Sequence, residues 1–178
     1  MSARDYREQP WKNGGGLTLE VAADSSSPPA WRISIAAIER DGPFSDFAGY
    51  DRTIVAIDGD PVELDIDGAV AVLQRGEPVD FRGESKVSCR LTGGPARDFN
   101  VMTQRKAYSH DVSVVMSPQR FVLDEDELVF AFAAAGTAEV GGEHCAEGST
   151  VAIEAEERVD VAPAGGGCVC VVRITPRG

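Results

Sequence analysis

The chain repeats one pattern of short strands and turns, and this repeat limits its fold more than any other feature. Each half contains a hairpin, a strand introduced by glycine, a turn and a closing strand, and corresponding positions lie about 70 to 77 residues apart. The pattern covers Ile54 to Leu91 in the first half, where the hairpin turns at Gly59, and Leu128 to Ile174 in the second. The offset varies because loops change length more readily than paired strands. Two such units predict two small β-barrels.

Strand signals dominate the whole sequence. Apolar and polar residues alternate in Leu17–Val21 and in Arg32–Ala36, which is the period of a half-buried strand. Helical patterns are poor, and 19 glycines separate the short apolar runs. We therefore predict an all-β protein with two jelly-roll or Greek-key barrel halves packed together, at residues 1–110 and 111–178. One long sandwich remains an alternative that periodicity does not exclude.

The charge of the chain restricts its partners. With 29 acidic and 17 basic residues the formal net charge is −12, whereas a nucleic-acid-binding protein needs a concentrated basic face. The N-terminus lacks a basic segment followed by an apolar run, and no stretch approaches the ~20 apolar residues that span a bilayer. We expect a cytoplasmic protein that binds neither nucleic acid nor membrane.

The histidines and cysteines do not suggest a metal centre. Barrels of this kind often bind a transition metal through two histidines at alternate positions of one strand, because alternate side chains share a face. This chain has only His110 and His144, in separate segments, so we predict no metal and no cofactor. A carboxylate site for a hard cation stays open. The cysteines are expected to be buried free thiols: Cys89, Cys145, Cys168 and Cys170.

No motif for nucleophilic catalysis occurs either. A Gly-x-Ser-x-Gly elbow is absent, and Cys89 lies in an apolar alternation that favours burial over reactivity. We therefore assign no catalytic residue.

The first of three polar clusters is Pro10 to Gly16, followed by Thr18 and Glu20. Its three consecutive glycines permit close backbone approach and expose N–H groups that can bind an anion. The alternative is a flexible turn before the first strand.

The second cluster is the aromatic-rich segment from Gly42 to Arg52. Such a loop can cover a ligand while Arg52 grips a carboxylate with two parallel hydrogen bonds. The alternative is an ordinary surface loop with solvated charges.

The third cluster is Gly93 to Met102. In a strand, Asp98, Asn100 and Met102 share one face, and polar groups pointing into a barrel are costly unless they bind a ligand or backbone groups. The alternative is that this face is solvated.

Together the three clusters resemble the HutD/Ves family. The matching residues span positions 10–102: Pro10–Gly16 with Thr18 and Glu20, Trp31–Ser34, Gly42–Ser45 with Phe47, Gly49–Arg52, and Gly94–Met102. The resemblance implies a bicupin fold without the usual metal ligands, a bacterial cytoplasmic setting and an association with histidine utilisation. In the Ves branch it implies a role in cold and stress responses instead.

The resemblance also implies a ligand pocket. Lys12 and Arg52 would neutralise a ligand carboxylate, while Asn13 and Asn100 would hydrogen-bond a formyl, formimino or amide group. The expected lining residues are Lys12, Asn13, Thr18, Glu20, Ser45, Tyr50, Arg52, Arg97, Asp98 and Asn100.

Three functions follow as hypotheses. The favoured one is a non-catalytic binder of a small polar or anionic metabolite, formylglutamate-like or urocanate-like, that moderates histidine utilisation. The second is a metal-independent enzyme acting on a formylated or formimino amino acid, with Glu20 or Asp98 as general base. The third is a stress-related interaction protein, and a homodimer formed through an exposed sheet edge would suit it.

Overall fold

A computed structural model of the protein describes residues 1–10, 17–153 and 158–178. The chain divides into two compact units, residues 7–107 and residues 1–6 together with 108–178, which we call the N-terminal and C-terminal barrels. The first six residues belong to the C-terminal unit because they contact its strands. The Tyr6 hydroxyl donates to the Gly148 carbonyl at 2.9 Å and lies 2.7 Å from the Thr150 hydroxyl.

The N-terminal barrel contains ten strands: β1 (Arg7–Pro10), β2 (Leu17–Ala23), β3 (Trp31–Ile38), β4 (Gly42–Pro43), β5 (Tyr50–Gly59), β6 (Val62–Ile66), β7 (Ala69–Leu73), β8 (Pro78–Arg82), β9 (Val87–Leu91) and β10 (Ala96–Gln104) among the described residues. They form two antiparallel sheets, with strand orders β1-β2-β3-β10-β5-β8 and β4-β9-β6-β7.

The predicted hairpin between β5 and β6 is wrong. β6 pairs with β7 and β9, whereas β5 pairs with β10 and β8 in the other sheet. The chain passes between the sheets at Gly59, whose φ is 88°. A Cβ there would lie 2.3 Å from the Pro95 carbonyl oxygen, so the crossing requires glycine.

Apolar side chains from both sheets of the N-terminal barrel form one cluster, which includes Ile54, Val62, Leu64, Leu73 and Phe81. β10 lies at the centre of the larger sheet between β3 and β5. It therefore contributes its inward face to the middle of the interior.

The C-terminal barrel is built around two long strands. The strands are β11 (Tyr108–Val115), β12 (Gln119–Val122), β13 (Leu128–Val140), β14 (Glu143–Cys145), β15 (Thr150–Ile153) and β16 (Arg158–Pro176). Their order in the sheet is β11-β16-β13-β14, with β12 paired to β16 and β15 to β13. β13 continues through Gly136 with irregular pairing instead of turning there, and its hairpin with β14 follows after Val140.

Apolar residues fill the C-terminal barrel, and all twelve buried members of its core cluster are Val, Ala, Phe or Cys. The four cysteines are free, with Cys89, Cys145 and Cys170 buried and Cys168 half-buried. Among the described residues, no helix has the length and apolar character needed to cross a membrane.

Candidate functional site

A polar cluster lies on the inward face of β10 in the N-terminal barrel. Asp98 and Asn100 are 4% and 6% exposed, and they share this face with Met102. Residues that stand opposite one another in an antiparallel pair point to the same side of the sheet. The inward face therefore continues through their partners on β3 and β5: Arg32, Ser34, Ala36, Arg52, Ile54 and Ala56.

Arg52 is the central group of this cluster and is only 7% exposed. Its Nε and Nη2 donate to the Asn100 side-chain oxygen at 3.4 and 3.2 Å, and its Nη1 donates to the Ser45 carbonyl at 3.3 Å. The Asn100 amide nitrogen donates in turn to the Ser34 hydroxyl at 3.4 Å. All four bonds are long for charged or amide donors, so the guanidinium is oriented but loosely held.

Three phenylalanine rings surround the Arg52 guanidinium and form what we call the aromatic cage. Its Cζ lies 5.8, 5.2 and 4.8 Å from the ring centres of Phe44, Phe47 and Phe81, which is the range of cation–π attraction. Phe44 and Phe47 belong to the loop between β4 and β5, and Phe81 lies on β8. The Phe47 amide fixes this loop by donating to the Gly83 carbonyl at 2.8 Å.

Burial perturbs both charged groups at the centre of the cluster. Desolvation lowers the pKa of Arg52 to about 10, with Asp98 opposing that shift and Arg32 adding to it. Desolvation raises the pKa of Asp98 to about 7, and attraction to Arg52 only partly opposes it. Near neutral pH, Arg52 is therefore charged while Asp98 is divided between its acid and its carboxylate forms.

A second arginine lies beside this pair. Arg32 and Glu20 approach to 3.8 Å, and each side chain is 18% exposed. The Glu20 oxygen that faces Arg32 also accepts a hydrogen bond from the Gln9 side chain at 2.9 Å. Burial lowers the pKa of Arg32, an effect opposed by Glu20. Within the described part of the chain, the buried Arg32 Nε has no hydrogen-bond partner.

The structure brings some of the predicted pocket residues together and separates others. Arg52, Asp98 and Asn100 form the cluster, Glu20 pairs with Arg32, and buried Thr18 stands opposite Ala36. Lys12 and Asn13 lie outside the described residues.

Three other predicted residues have different surroundings. Arg97 is exposed on the opposite face of β10 from Asp98, and the Ser45 side chain is exposed while its carbonyl holds Arg52. Tyr50 is buried, donates to the Pro29 carbonyl at 2.6 Å and accepts from the Gln104 amide at 3.1 Å. The Tyr50 hydroxyl therefore uses both hydrogen bonds to hold the end of the barrel together.

Sequence reasoning assigned no site role to Arg32, Ser34 or Phe81, and it expected the loop that holds Phe44 and Phe47 only to cover a ligand. Arg32 and Ser34 lie in Trp31–Ser34, one of the segments that match the HutD/Ves family, and they point to the same face of β3. Ser34 stands opposite Asn100, and Arg32 opposite Met102, because β3 pairs with β10. Ser34 and Asn100 are 66 positions apart in the chain.

The histidines lie in the C-terminal barrel. His144 is exposed beside Glu139 at 3.4 Å, and His110 lies on β11. Among residues 1–10, 17–153 and 158–178, no group of three or more His, Cys, Asp or Glu side chains is arranged to hold a metal ion.

Fold and cluster together define a bicupin whose N-terminal barrel encloses buried charged groups. Solved cupin structures share the fold at low sequence identity. The nickel-bound pirin YhhW from Escherichia coli is 12% identical with a TM-score of 0.69, over 99% of this chain and 98% of that one. The HutD family model matches residues 3–171, and the chain belongs to this family, which is linked to histidine utilisation.

Individual relatives agree with this assignment. HutD from Pseudomonas fluorescens SBW25 is 37% identical with a TM-score of 0.89, over 99% of this chain and 97% of that structure. An uncharacterised 21.2 kDa protein in the hutC 3′ region of Pseudomonas putida is 46% identical over 112 residues, 61% of this chain and 59% of that protein. Protein Ves from Citrobacter koseri is 38% identical over 115 residues, 59% of each chain. The matched part thus spans about three-fifths of these curated relatives.

Proposed function

We propose that the N-terminal barrel binds a small carboxylate-bearing metabolite at Arg52 and does not transform it. The observation that carries this proposal is the buried guanidinium in the aromatic cage. Transferring an ion out of water is costly unless other groups replace its hydration. An apolar residue at position 52 would cost less free energy to bury than the Arg52 cation. A role in ligand binding explains why the barrel nevertheless carries an arginine there.

The hydrogen bonds of Arg52 support an anionic ligand. Within the part of the chain that the structure describes, they use three of the five N–H groups of a guanidinium. A carboxylate accepts two parallel N–H bonds from such a group, and these are stronger than bonds to a neutral amide. A bound carboxylate would therefore be a stronger hydrogen-bond acceptor for Arg52 than its present acceptors, the Asn100 side chain and the Ser45 carbonyl.

The remaining groups favour a ligand with a polar end. The Asn100 amide can donate and accept, and Asp98 can do either according to its protonation state. A formyl, formimino or imidazole group suits these partners. Since the family is linked to histidine utilisation, a formylglutamate-like or urocanate-like metabolite is the proposed ligand, and its binding would moderate that pathway in the cytoplasm.

One observation favours an enzyme as the second candidate. A carboxyl group whose pKa lies at about 7 is suited to proton transfer at neutral pH, and Asp98 has that property. Incubating purified protein with N-formylglutamate or urocanate distinguishes the two functions. Binding without product formation supports the binder, and turnover that is lost in Asp98→Asn supports the enzyme.

The first test is a thermal-shift screen against histidine-pathway metabolites, with and without a chelator. A ligand that binds only the folded state at a hundred times its dissociation constant adds about 2.7 kcal/mol of stability. We expect a carboxylate metabolite to raise the melting temperature equally in both conditions. A shift with added divalent metals but with no metabolite would contradict the proposal.

A further inference from the structure

Two arginines occupy equivalent positions on either side of β10. Arg32 on β3 and Arg52 on β5 both stand opposite Met102 and point to the inward face. Neighbouring strands are about 4.8 Å apart, so the two backbones are separated by about 10 Å. Repulsion from Arg32 contributes to the lowered pKa of Arg52, which indicates that the two guanidinium groups lie within electrostatic range of each other.

The hydrogen-bonding capacity of the Arg32 guanidinium is not fully used. Its buried Nε lacks a hydrogen-bond partner among the described residues, and a buried donor left without an acceptor is costly. This same Nε faces the Glu20 carboxylate at 3.8 Å, which is too long for a hydrogen bond, and the Gln9 amide already donates to that Glu20 oxygen. Because Arg32 is 18% exposed while Arg52 is almost fully buried, solvent and small solutes reach Arg32 more easily.

We propose that Arg32 is a second anion-binding residue of this site, so that the preferred ligand is a dicarboxylate held by Arg52 at one end and by Arg32 at the other. This inference rests on the proposed function. Glu20 then acts as the counter-ion of Arg32 in the free protein and competes with the second carboxylate of the ligand. A ligand with one carboxylate places no second negative charge against Arg32.

The test compares linear dicarboxylates from malonate to adipate with their monoamides, which have nearly the same shape and one charge less. Isothermal titration calorimetry measures each pair against the full-length protein. At the best chain length we expect the dicarboxylate to bind at least about tenfold more tightly, which is the gain of one hydrogen bond to a charged group. Arg32→Gln should abolish this preference, so that each dicarboxylate binds no more tightly than its own monoamide.

Glu20→Gln provides an independent test. Removing the competing carboxylate should increase the preference for dicarboxylates, whereas a purely structural role for the Arg32–Glu20 pair predicts no increase. Arg82→Gln removes a charge from the exposed face of β8 and serves as the matched control, with no change expected.

The outcomes separate the inference from the proposed function. Equal affinity for dicarboxylates and monoamides at every length, or a preference that survives Arg32→Gln, overturns the role of Arg32 and leaves carboxylate binding at Arg52 intact. Failure of every dicarboxylate and monoamide to bind overturns both.

Discussion

The two barrels repeat one strand pattern, yet their interiors differ in kind. Of the eight buried polar or charged residues in the described part of the chain, seven lie in the N-terminal barrel, and the eighth is Thr150. Thr150 is satisfied by the Tyr6 hydroxyl at 2.7 Å. The comparison shows that the same strand pattern can enclose an apolar core in one barrel and a cluster of buried polar and charged groups in the other.

The inward strand positions show the difference directly. In the C-terminal barrel, Ala131 on β13 stands between Val151 and Val171. In the N-terminal barrel, Asp98 on β10 stands between Ala36 and Ala56. The position in the C-terminal barrel thus lies between two valines. The position in the N-terminal barrel carries a carboxyl group that lies between two alanines and near Arg52.

The largest predicted effect comes from placing a carboxyl group in the filled barrel. Ala131→Asp puts an uncompensated charge at a position that is 0% exposed and should cost about 3–5 kcal/mol of stability. Urea denaturation measures it. Val122→Asp, at a position 66% exposed, is the control and should change stability by no more than about 0.5 kcal/mol. Tolerance of Ala131→Asp would mean that the two interiors are alike.

Next in size is the loss of ligand binding when Arg52 is neutralised. Arg52→Met keeps an apolar stem in the aromatic cage but removes every charged donor, so affinity for the carboxylate found by thermal shift should fall by about 30-fold or more. Calorimetry measures this change, with Arg82→Gln as the control. Unchanged affinity in Arg52→Met would show that the carboxylate binds elsewhere.

The third prediction concerns Asp98 and pH. Its pKa is about 7 when folded and 3.8 in its ordinary range, so folded Asp98 retains a proton that the unfolded chain loses. The contribution of Asp98 to stability is therefore largest below pH 4, declines as pH rises towards 7 and is constant above that. Arg52 faces Asp98, and Cys89 on β9 lies within electrostatic range, since Asp98 contributes to its raised pKa.

Asp98→Asn should remove this decline, because asparagine does not titrate. We expect the variant to be more stable than the native protein at pH 8, by on the order of a few kcal/mol, and to approach it at pH 4. Urea denaturation across this range measures the difference. A difference that does not vary with pH would mean that Asp98 is ionised throughout.

The smallest predicted effect concerns the loop that carries Phe44 and Phe47 of the aromatic cage. Arg105 donates to Asp51 at 2.7 Å and to both oxygens of Glu84 at 3.0 Å, and its backbone amide donates to the Gly49 carbonyl at 2.9 Å. Arg105→Gln should loosen this loop and weaken carboxylate binding by less than about tenfold, since exposed ion pairs contribute little. Calorimetry at low and high salt measures the effect.

The matched control for that prediction is Arg120→Gln, which breaks an exposed bidentate pair with Asp160 in the C-terminal barrel. It should leave affinity unchanged. Equal effects of the two substitutions would show that charge on the whole molecule, and not the position of the loop, governs binding.

Local patterns in the sequence predict part of this site. Alternation along β10 predicts that Asp98, Asn100 and Met102 share a face, and the strand register agrees. The aromatic-rich segment ending at Arg52 does contribute a cation to the interior. These features depend only on neighbouring residues, which is why they are visible in the sequence.

Other features depend on contacts between distant segments. The turn residues after β5 indicate a change of direction but not which sheet the chain enters next, so the hairpin prediction was wrong. The pairing of β3 with β10 places Ser34 and Arg32 in the cluster, and the crossing of residues 1–6 to the C-terminal barrel has no local signal. Sequence periodicity carries no information about such partners.

The central claim is that carboxylate binding occurs at Arg52 in the N-terminal barrel and leaves the C-terminal interior unchanged. The most direct measurement is a carboxylate titration of ¹⁵N-labelled protein followed by NMR, with the Arg52 Nε–H signal assigned by its absence in Arg52→Met. We predict that this signal and the amides of Asp98 and Asn100 shift together, while those of Val140 and Val171 do not. Shifts confined to the C-terminal barrel, or an Arg52 signal that never moves at saturation, would contradict the claim.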